Sequence, residues 1–382
     1  MRKPKVLILT TNYGNGHVQV ARALEEQFLY KNQAAVAVRD IYQETNPRLH
    51  EWTKKLYLKS YTKGGRQLYR IFYYSSQEIT RRKPLKIFSY GYSQLTKIIA
   101  EEQPDLIINT FPSLAVQHFL MKTNSTIPTY NVVTDYCLHH SWVHPAIDKY
   151  YVATPQLKAQ LKANNIESYK VSVTGIPVQA QFEQAFCRET LVNKYHLDLE
   201  RKTVLMVAGA YGVSKEIRDI CEELQKDENL QLFIVCGKNN QLFEELKRKF
   251  LHETHIHVFG YVQHMAELLE LADCVITKPG GIILSEAVVK NVPIILTGAT
   301  PGQEKENAAF FQNKGAAILN SKWEQMIEDT QKLIHNETKM AEMKSALAKI
   351  HVPKAAETIV NDVLKNYYKW NVGTGTLTQF KI

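Results

Sequence analysis

The chain has 382 residues, 45% of them hydrophobic and 22% charged, with a formal net charge of +9. That length exceeds what one hydrophobic core normally serves, so two domains are expected, and the apolar fraction is enough to fill both. No run approaches the roughly 20 apolar residues that span a bilayer. The N-terminal apolar run is too brief for a signal-peptide core, and the five scattered cysteines contain no CxxC pair. Composition therefore excludes a membrane-spanning helix and a disulfide framework, and the expectation is a chain that stays in the cytoplasm.

In chain order, the runs "KVLILTT", "PDLIINTF", "KTVLMVAGA", "LQLFIVCG", "DCVITK" and "VPIILTG" are short and bounded by Gly, Pro or charge. Many of their residues are β-branched, as suits central parallel strands. Amphipathic stretches lie between them, and this alternation predicts an α/β architecture built from βαβ units.

After the first strand comes "TTNYGNGH", Thr10 to His17. Gly14 and Gly16 on either side of Asn15, with Asp40 ending the next strand-like run, imitate a dinucleotide fingerprint. The third glycine position is Gln19, whose side chain would obstruct the helix packing that Gly or Ala allows there, so nicotinamide binding is not expected. In the alternative reading the glycines let the backbone turn sharply. His17 then sits in the first turn of a helix over 18–30, at the carboxyl edge of the sheet, where ligands of open α/β sheets bind. A neutral imidazole there can accept a proton from a hydroxyl, because a helix N-terminus disfavours the cation.

From Trp52 to Lys97 there are eleven Lys or Arg residues and one acid, Glu78, together with ten aromatics. The rest of the chain is close to neutral. Lys54, Lys55, Lys59, Lys63, Arg66, Arg70, Arg81, Arg82 and Lys83 are the candidate contacts to an anionic membrane surface, where each basic head contributes on the order of 1 kcal/mol. Single-stranded nucleic acid could use the same mixture, but no nucleic-acid partner is expected. The localisation predicted is peripheral, on the cytoplasmic face of the cell membrane.

A fresh βαβ series starts at Lys202, with a glycine-relieved turn at "AGAYGVSK". From Asp273 to Leu296, "DCVITKPGGIILSEAVVKNVPIIL" runs strand, turn, helix, strand. Pro279 fixes the turn, while Gly280 and Gly281 are expected to leave amides uncovered at the start of a helix beginning near Ile282, which makes an anion site suited to a diphosphate. Glu286, just over one helical turn later, can accept from ribose hydroxyls. In "TPGQEKENAAFF", Gln303 and Glu304 open a new helix and supply donors and acceptors for sugar hydroxyls. There is no Asp-x-Asp motif, and neither His139, His140 and His144 nor His252, His255 and His257 have HExxH spacing, so no metal ligand set and no cofactor are predicted.

These stretches together with "INTFP", "VTDYCLH", "WVHP", "KYYVAT", "VTGIPV", "VCGKN" and "GYV" closely resemble the bacterial diacylglycerol glucosyltransferases of glycosyltransferase family 28. These are related to the monogalactosyldiacylglycerol synthases. The resemblance covers essentially the whole chain. It implies a GT-B fold, two Rossmann-like domains facing across a cleft, with the acceptor lipid on the first and the UDP-sugar on the second. It also implies inverting transfer of glucose from UDP-glucose to diacylglycerol and on to the glucosyl-lipid product, giving a glycolipid anchor for lipoteichoic acid. Another donor sugar or a polyprenyl-linked acceptor is the nearest alternative, and a basic nucleic-acid-binding module with a degenerate nucleotide pocket is the alternative of another class.

By the same resemblance His17 is the general base, Asp135 and His139 orient the base or the acceptor, and Gly14, Asn15, Gly16 and Thr134 belong to the acceptor loops. Gly209, Ala210, Tyr211, Gly212 and Val213 approach the nucleotide, and Val262 meets the uracil through its backbone. Lys278, Gly280 and Gly281 belong to the diphosphate loop, Glu286 binds the ribose, and Gln303 with Glu304 binds the hexose. The chain departs from the family pattern at Ile283, where relatives commonly carry a hydroxyl residue. The expected organisation is an N-terminal domain over 1–175, a connector over 176–200, a C-terminal domain over 201–350, a helix over 353–370 returning to the first domain, and a tail over 371–382.

Overall fold

The computed structural model describes residues 2–12, 15–45, 67, 70–71, 73–78, 91–208, 217–320 and 322–373. Two compact units result. One holds residues 2–45, the described residues of 70–180, and 352–373; the other holds 181–351 with Gln67.

Six strands form the sheet of the first unit: β1 (Lys5–Thr10), β2 (Ala35–Asp40), β3 (Leu106–Asn109), β4 (Thr129–Val132), β5 (Lys149–Val152) and β6 (Val171–Val173). They are all parallel, in the order β2-β1-β3-β4-β5-β6. Val6, Leu7, Ile8 and Leu9 are fully buried, as a strand covered by helices on both sheet faces requires. Each such side chain contributes about 1.5–3 kcal/mol by leaving water.

The second sheet comprises β7 (Lys202–Val207), β8 (Leu230–Val235), β9 (Ile256–Phe259), β10 (Cys274–Thr277), β11 (Ile294–Leu296) and β12 (Ala317–Leu319). Its order is β12-β11-β10-β7-β8-β9, again all parallel. Counted within the unit this is the doubly wound 3-2-1-4-5-6 arrangement of dinucleotide-binding domains. Val204, Leu232, Ile234, Ile276 and Ile295 fill its core.

Both sheets close their amino edges with one device. Asp105 Oδ2 accepts from the amide of Lys5, Asp148 Oδ2 from Thr129, and Asp273 Oδ2 from Thr203, at 2.7–2.8 Å. In each case the aspartate amide donates back to the carbonyl of the same residue. With the amino edges sealed, uncommitted chemistry gathers at the carboxyl edges.

The C-terminal helix, Ala355–Gly373, packs on the helix Asn15–Lys31 of the first unit. Ile359, Val360 and Val363 are fully buried. Asp362 Oδ2 accepts from the Lys149 ammonium at 2.5 Å and from the Tyr151 hydroxyl at 2.8 Å. This helix continues to Gly373, three residues beyond the expected end at 370, and 374–382 lie outside the described residues. The stretch expected as a connector carries two short helices, Ala180–Glu183 and Arg188–Tyr195. From 181 onward it belongs to the second unit, where Lys194 and the Tyr195 hydroxyl both bond Glu267 Oε2.

Candidate functional site

In the first unit the strand order reverses between β1 and β3, the position at which open α/β sheets bind ligands. The helix after β1 begins at Asn15, earlier than the expected 18, so Asn15 and Gly16 form its first residues and His17 lies inside its first turn. His17 Nδ1 is 2.9 Å from the carbonyl oxygen of Thr110, which follows β3, and 2.9 Å from Oγ1 of the buried Thr134, beyond β4. The Phe111 ring meets the imidazole edge-on at 5.0 Å. Thr110 Oγ1 donates to the His17 carbonyl at 3.3 Å and to the Leu9 carbonyl at 3.1 Å, which anchors the first helical turn to β1. Burial pushes the His17 pKa below the usual imidazole value, while the charge of Asp135 and the Thr110 carbonyl pull it the other way. The imidazole is therefore neutral at pH 7.

A carbonyl oxygen only accepts, so the Thr110 contact requires the proton on Nδ1. Nε2 then carries the lone pair.

The His139 side chain makes its contacts with Ser141, Ser76 and Tyr73. Its Nδ1 accepts from the Ser141 amide at 3.2 Å, capping the short helix His140–Trp142. Its Nε2 lies 3.2 Å from Ser76 Oγ, which itself donates to the Tyr73 carbonyl, and its ring packs on Tyr73 at 5.0 Å. Burial, with His140 adding to it, lowers its pKa to about 4 against the pull of the Tyr73 carbonyl. His139 thus fixes residues 73–78 to the sheet. Asp40, the acid that mimicked a ribose ligand, is taken up by three backbone amides, those of Asn12, Tyr42 and Gln43.

In the second unit the order reverses between β7 and β10. A crevice at that point is lined by Ala208, Ile217, Lys278 and Thr297, among others. The helix after β10 is Gly281–Val289, capped by Gly280 without any side-chain bond. The Gly280 amide donates to the Lys278 carbonyl at 2.8 Å, contrary to the expectation that it stands uncovered. The amides of Gly281, Ile282 and Ile283 have no intrahelical acceptor, as the first turn of any helix dictates, so they and the positive helix end are the groups that could hold an anion. Among the described residues, a Cβ added to Gly280 would meet only Ile283 Cγ2, at 3.8 Å.

Glu286 is buried one turn further on, and burial raises its pKa to about 8. Glu304 Oε2 accepts from the Thr300 amide at 2.9 Å, which holds the loop after β11 against the helix Gln303–Asn313. Gln303 is the first residue of that helix, and Val262 lies three residues beyond β9. Sequence reasoning assigned no role to Asn307. This residue is fully buried, and its Nδ2 donates to the Pro279 carbonyl at 3.1 Å, which ties the helix Gln303–Asn313 to the Pro-Gly-Gly turn. Thr110 was missed too, although "INTFP" contains it.

Gly14, Gly209 to Val213, and the basic residues Lys54, Lys55, Lys59, Lys63, Arg66, Arg81, Arg82 and Lys83 lie outside the described residues. Arg70 is exposed on a helical stretch together with Ile71 and Tyr74, whereas Tyr73 is buried. Among the described residues no helix is long and apolar enough to cross a membrane, and no three His, Cys, Asp or Glu side chains converge as a metal cluster.

With this geometry in place, similarity to known proteins decides the family. Residues 17–178 match the monogalactosyldiacylglycerol (MGDG) synthase family, and residues 203–359 match the glycosyltransferase family 28 C-terminal domain. The chain is 44% identical, over 363 residues, to the processive diacylglycerol beta-glucosyltransferase of Bacillus subtilis, covering 94% of this chain and 95% of the relative. The chain belongs to the processive diacylglycerol β-glucosyltransferase family. Among solved structures, a putative UDP-N-acetylglucosamine 2-epimerase from Listeria monocytogenes superposes with a TM-score of 0.65 at 15% identity, covering 97% of this chain and 98% of that one. Acinetobacter baumannii MurG gives 0.61 at 14% identity, covering 95% and 99%. These likenesses concern the fold, two Rossmann-like α/β domains of the GT-B class.

Proposed function

We propose that this enzyme transfers glucose from UDP-glucose to the free hydroxyl of 1,2-diacylglycerol, with inversion, and then to the glucosyl-diacylglycerol it has made. The observation that carries this reading is His17, a neutral imidazole whose proton sits on Nδ1 and whose Nε2 has no hydrogen-bond partner among the described residues. Nε2 takes the proton of the acceptor hydroxyl as that oxygen bonds to the anomeric carbon, and the bond from carbon to the diphosphate oxygen breaks with its electrons leaving on UDP. General base catalysis of this kind contributes about 10²- to 10⁴-fold.

The amides of Gly281, Ile282 and Ile283 stabilise the negative charge that develops on the leaving diphosphate. Glu286 receives the ribose hydroxyls, Gln303 and Glu304 the glucose hydroxyls, and Val262 the uracil. In this scheme amides and the helix end hold the diphosphate, and it invokes no metal or other cofactor. Asp135 supports the imidazolium that forms on His17 through its charge.

The basic, aromatic segment between Trp52 and Lys97 docks the enzyme on an anionic cytoplasmic membrane surface, where its acceptor resides. The outward positions of Arg70, Ile71 and Tyr74 support this. Purified protein should release UDP from UDP-glucose only when diacylglycerol is present, and equal turnover with lipid-free acceptors would refute the acceptor assignment. Removing the charges from Lys54 to Lys83 should abolish binding to anionic liposomes. Undiminished liposome binding by that variant would refute the membrane assignment.

A further inference from the structure

Two oxygens, not one, converge on His17 Nδ1 from two different strand ends: the Thr110 carbonyl after β3 and the Thr134 hydroxyl after β4, each at 2.9 Å. A ring nitrogen that faces a carbonyl must carry hydrogen, so the threonine hydroxyl shares that hydrogen as a second acceptor. Neither oxygen belongs to a carboxylate. Asp135 is next in sequence to Thr134 and acts on the ring only through its charge.

Resting on the assignment of His17 as the base, we propose that Thr134 is the positioning residue for the reaction, fixing the Nδ1-H tautomer of His17 jointly with the Thr110 carbonyl so that Nε2 faces the acceptor as a base. When Nε2 takes the acceptor's proton, Nδ1-H becomes more acidic and both of its hydrogen bonds strengthen. The pair thus favours the transition state over the resting ring, the part an aspartate plays at Nδ1 in hydrolase triads. Thr134 touches neither donor nor acceptor in this role. Its other constraint is steric: the Phe111 edge at 5.0 Å bounds the ring, so that rotation is limited once Nδ1 is held.

The decisive experiment reads the tautomer directly. In full-length protein labelled with ¹⁵N-histidine, the resonance lost in His17→Ala should show a protonated Nδ1 and an unprotonated Nε2 at pH 7; the opposite tautomer overturns the proposal. Kinetics supply the second arm. Thr134→Val should lower kcat by roughly tenfold to a hundredfold, the loss expected for one hydrogen bond to a group that becomes charged, with KM for UDP-glucose unchanged. It should also move the acid limb of the kcat/KM profile to lower pH, because the imidazolium loses an acceptor. Thr134→Ser should restore both. Wild-type kcat and an unmoved acid limb in Thr134→Val would sink the idea, and the NMR reading does not depend on that variant folding. An active His17→Ala would overturn the base assignment and leave the tautomer measurement standing.

Discussion

In the function proposed here the two units put the same scaffold to opposite kinds of recognition. Each is a six-stranded parallel sheet, and each gathers its candidate residues where the strand order reverses. At the first reversal the chemistry proposed here belongs to a side chain, His17, whose Nδ1 meets oxygens 93 and 117 residues away. At the second the proposed binding belongs largely to the main chain, the amides that open Gly281–Val289, which any sequence with this turn would present. The difference teaches where substitutions should hurt. A side-chain site fails with one change, while a backbone site tolerates changes in side chains so long as the turn survives.

The sharpest way to break that comparison is His17→Ala. Turnover should fall by about 10²- to 10⁴-fold, while calorimetric UDP affinity stays at the wild-type value; a parallel loss of UDP binding would show that the two sites are not separable in this way. Next in size is Glu286→Gln, which keeps the shape but removes the carboxylate. The KM for UDP-glucose measured above pH 8, where Glu286 is ionised, should rise by about tenfold, as expected when one charged acceptor becomes neutral, and by less at lower pH.

The same substitution sharpens the contrast through pH. With its pKa raised from 4.5 to about 8, Glu286 binds more protons folded than unfolded. Its contribution to stability is complete below pH 4.5 and is lost as the pH rises towards 8. Melting curves of Glu286→Gln should therefore gain on wild type as the pH rises through that window, and a constant difference would contradict the burial.

A smaller effect concerns His17. Since burial lowers its pKa, the acid limb of kcat/KM should fall below pH 6.5, the ordinary imidazole value. The smallest is Ile283→Ser. Adding the hydroxyl that the family resemblance places there should change the KM for UDP-glucose by no more than about fivefold if backbone amides carry the diphosphate, in line with a net hydrogen bond of about 0.5–1 kcal/mol.

Much of this was legible in the sequence because it is local. Buried β-branched runs gave strands, and the Pro-Gly-Gly turn announced a helix start that the structure places at Gly281. Gln19 argued against a dinucleotide site, and Asp40 proved to be occupied by amides. What escaped depends on sheet order. Nothing within "INTFP" or "VTDY" says that Thr110 and Thr134 meet one imidazole nitrogen, since that follows only from β1, β3 and β4 lying side by side. Asn307 was invisible for the same reason, its partner Pro279 lying 28 residues earlier on a neighbouring strand end. The bond of His139 to Ser76 was not legible because it depends on the 73–78 stretch reaching it. The Gly280 amide was misjudged because its bond to Lys278 arises from the tightness of the turn itself.

The first unit is interrupted: it stops at 180 and resumes at 352 with the helix that buries Ile359, Val360 and Val363. During synthesis, when domains otherwise fold in the order they emerge, the half that comes off the ribosome first must wait for its closing piece until the whole later half has been translated. A nascent chain arrested before residue 352 would carry an unfinished first unit and a second unit whose strands and helices have all been made, and a protease should cut the former first.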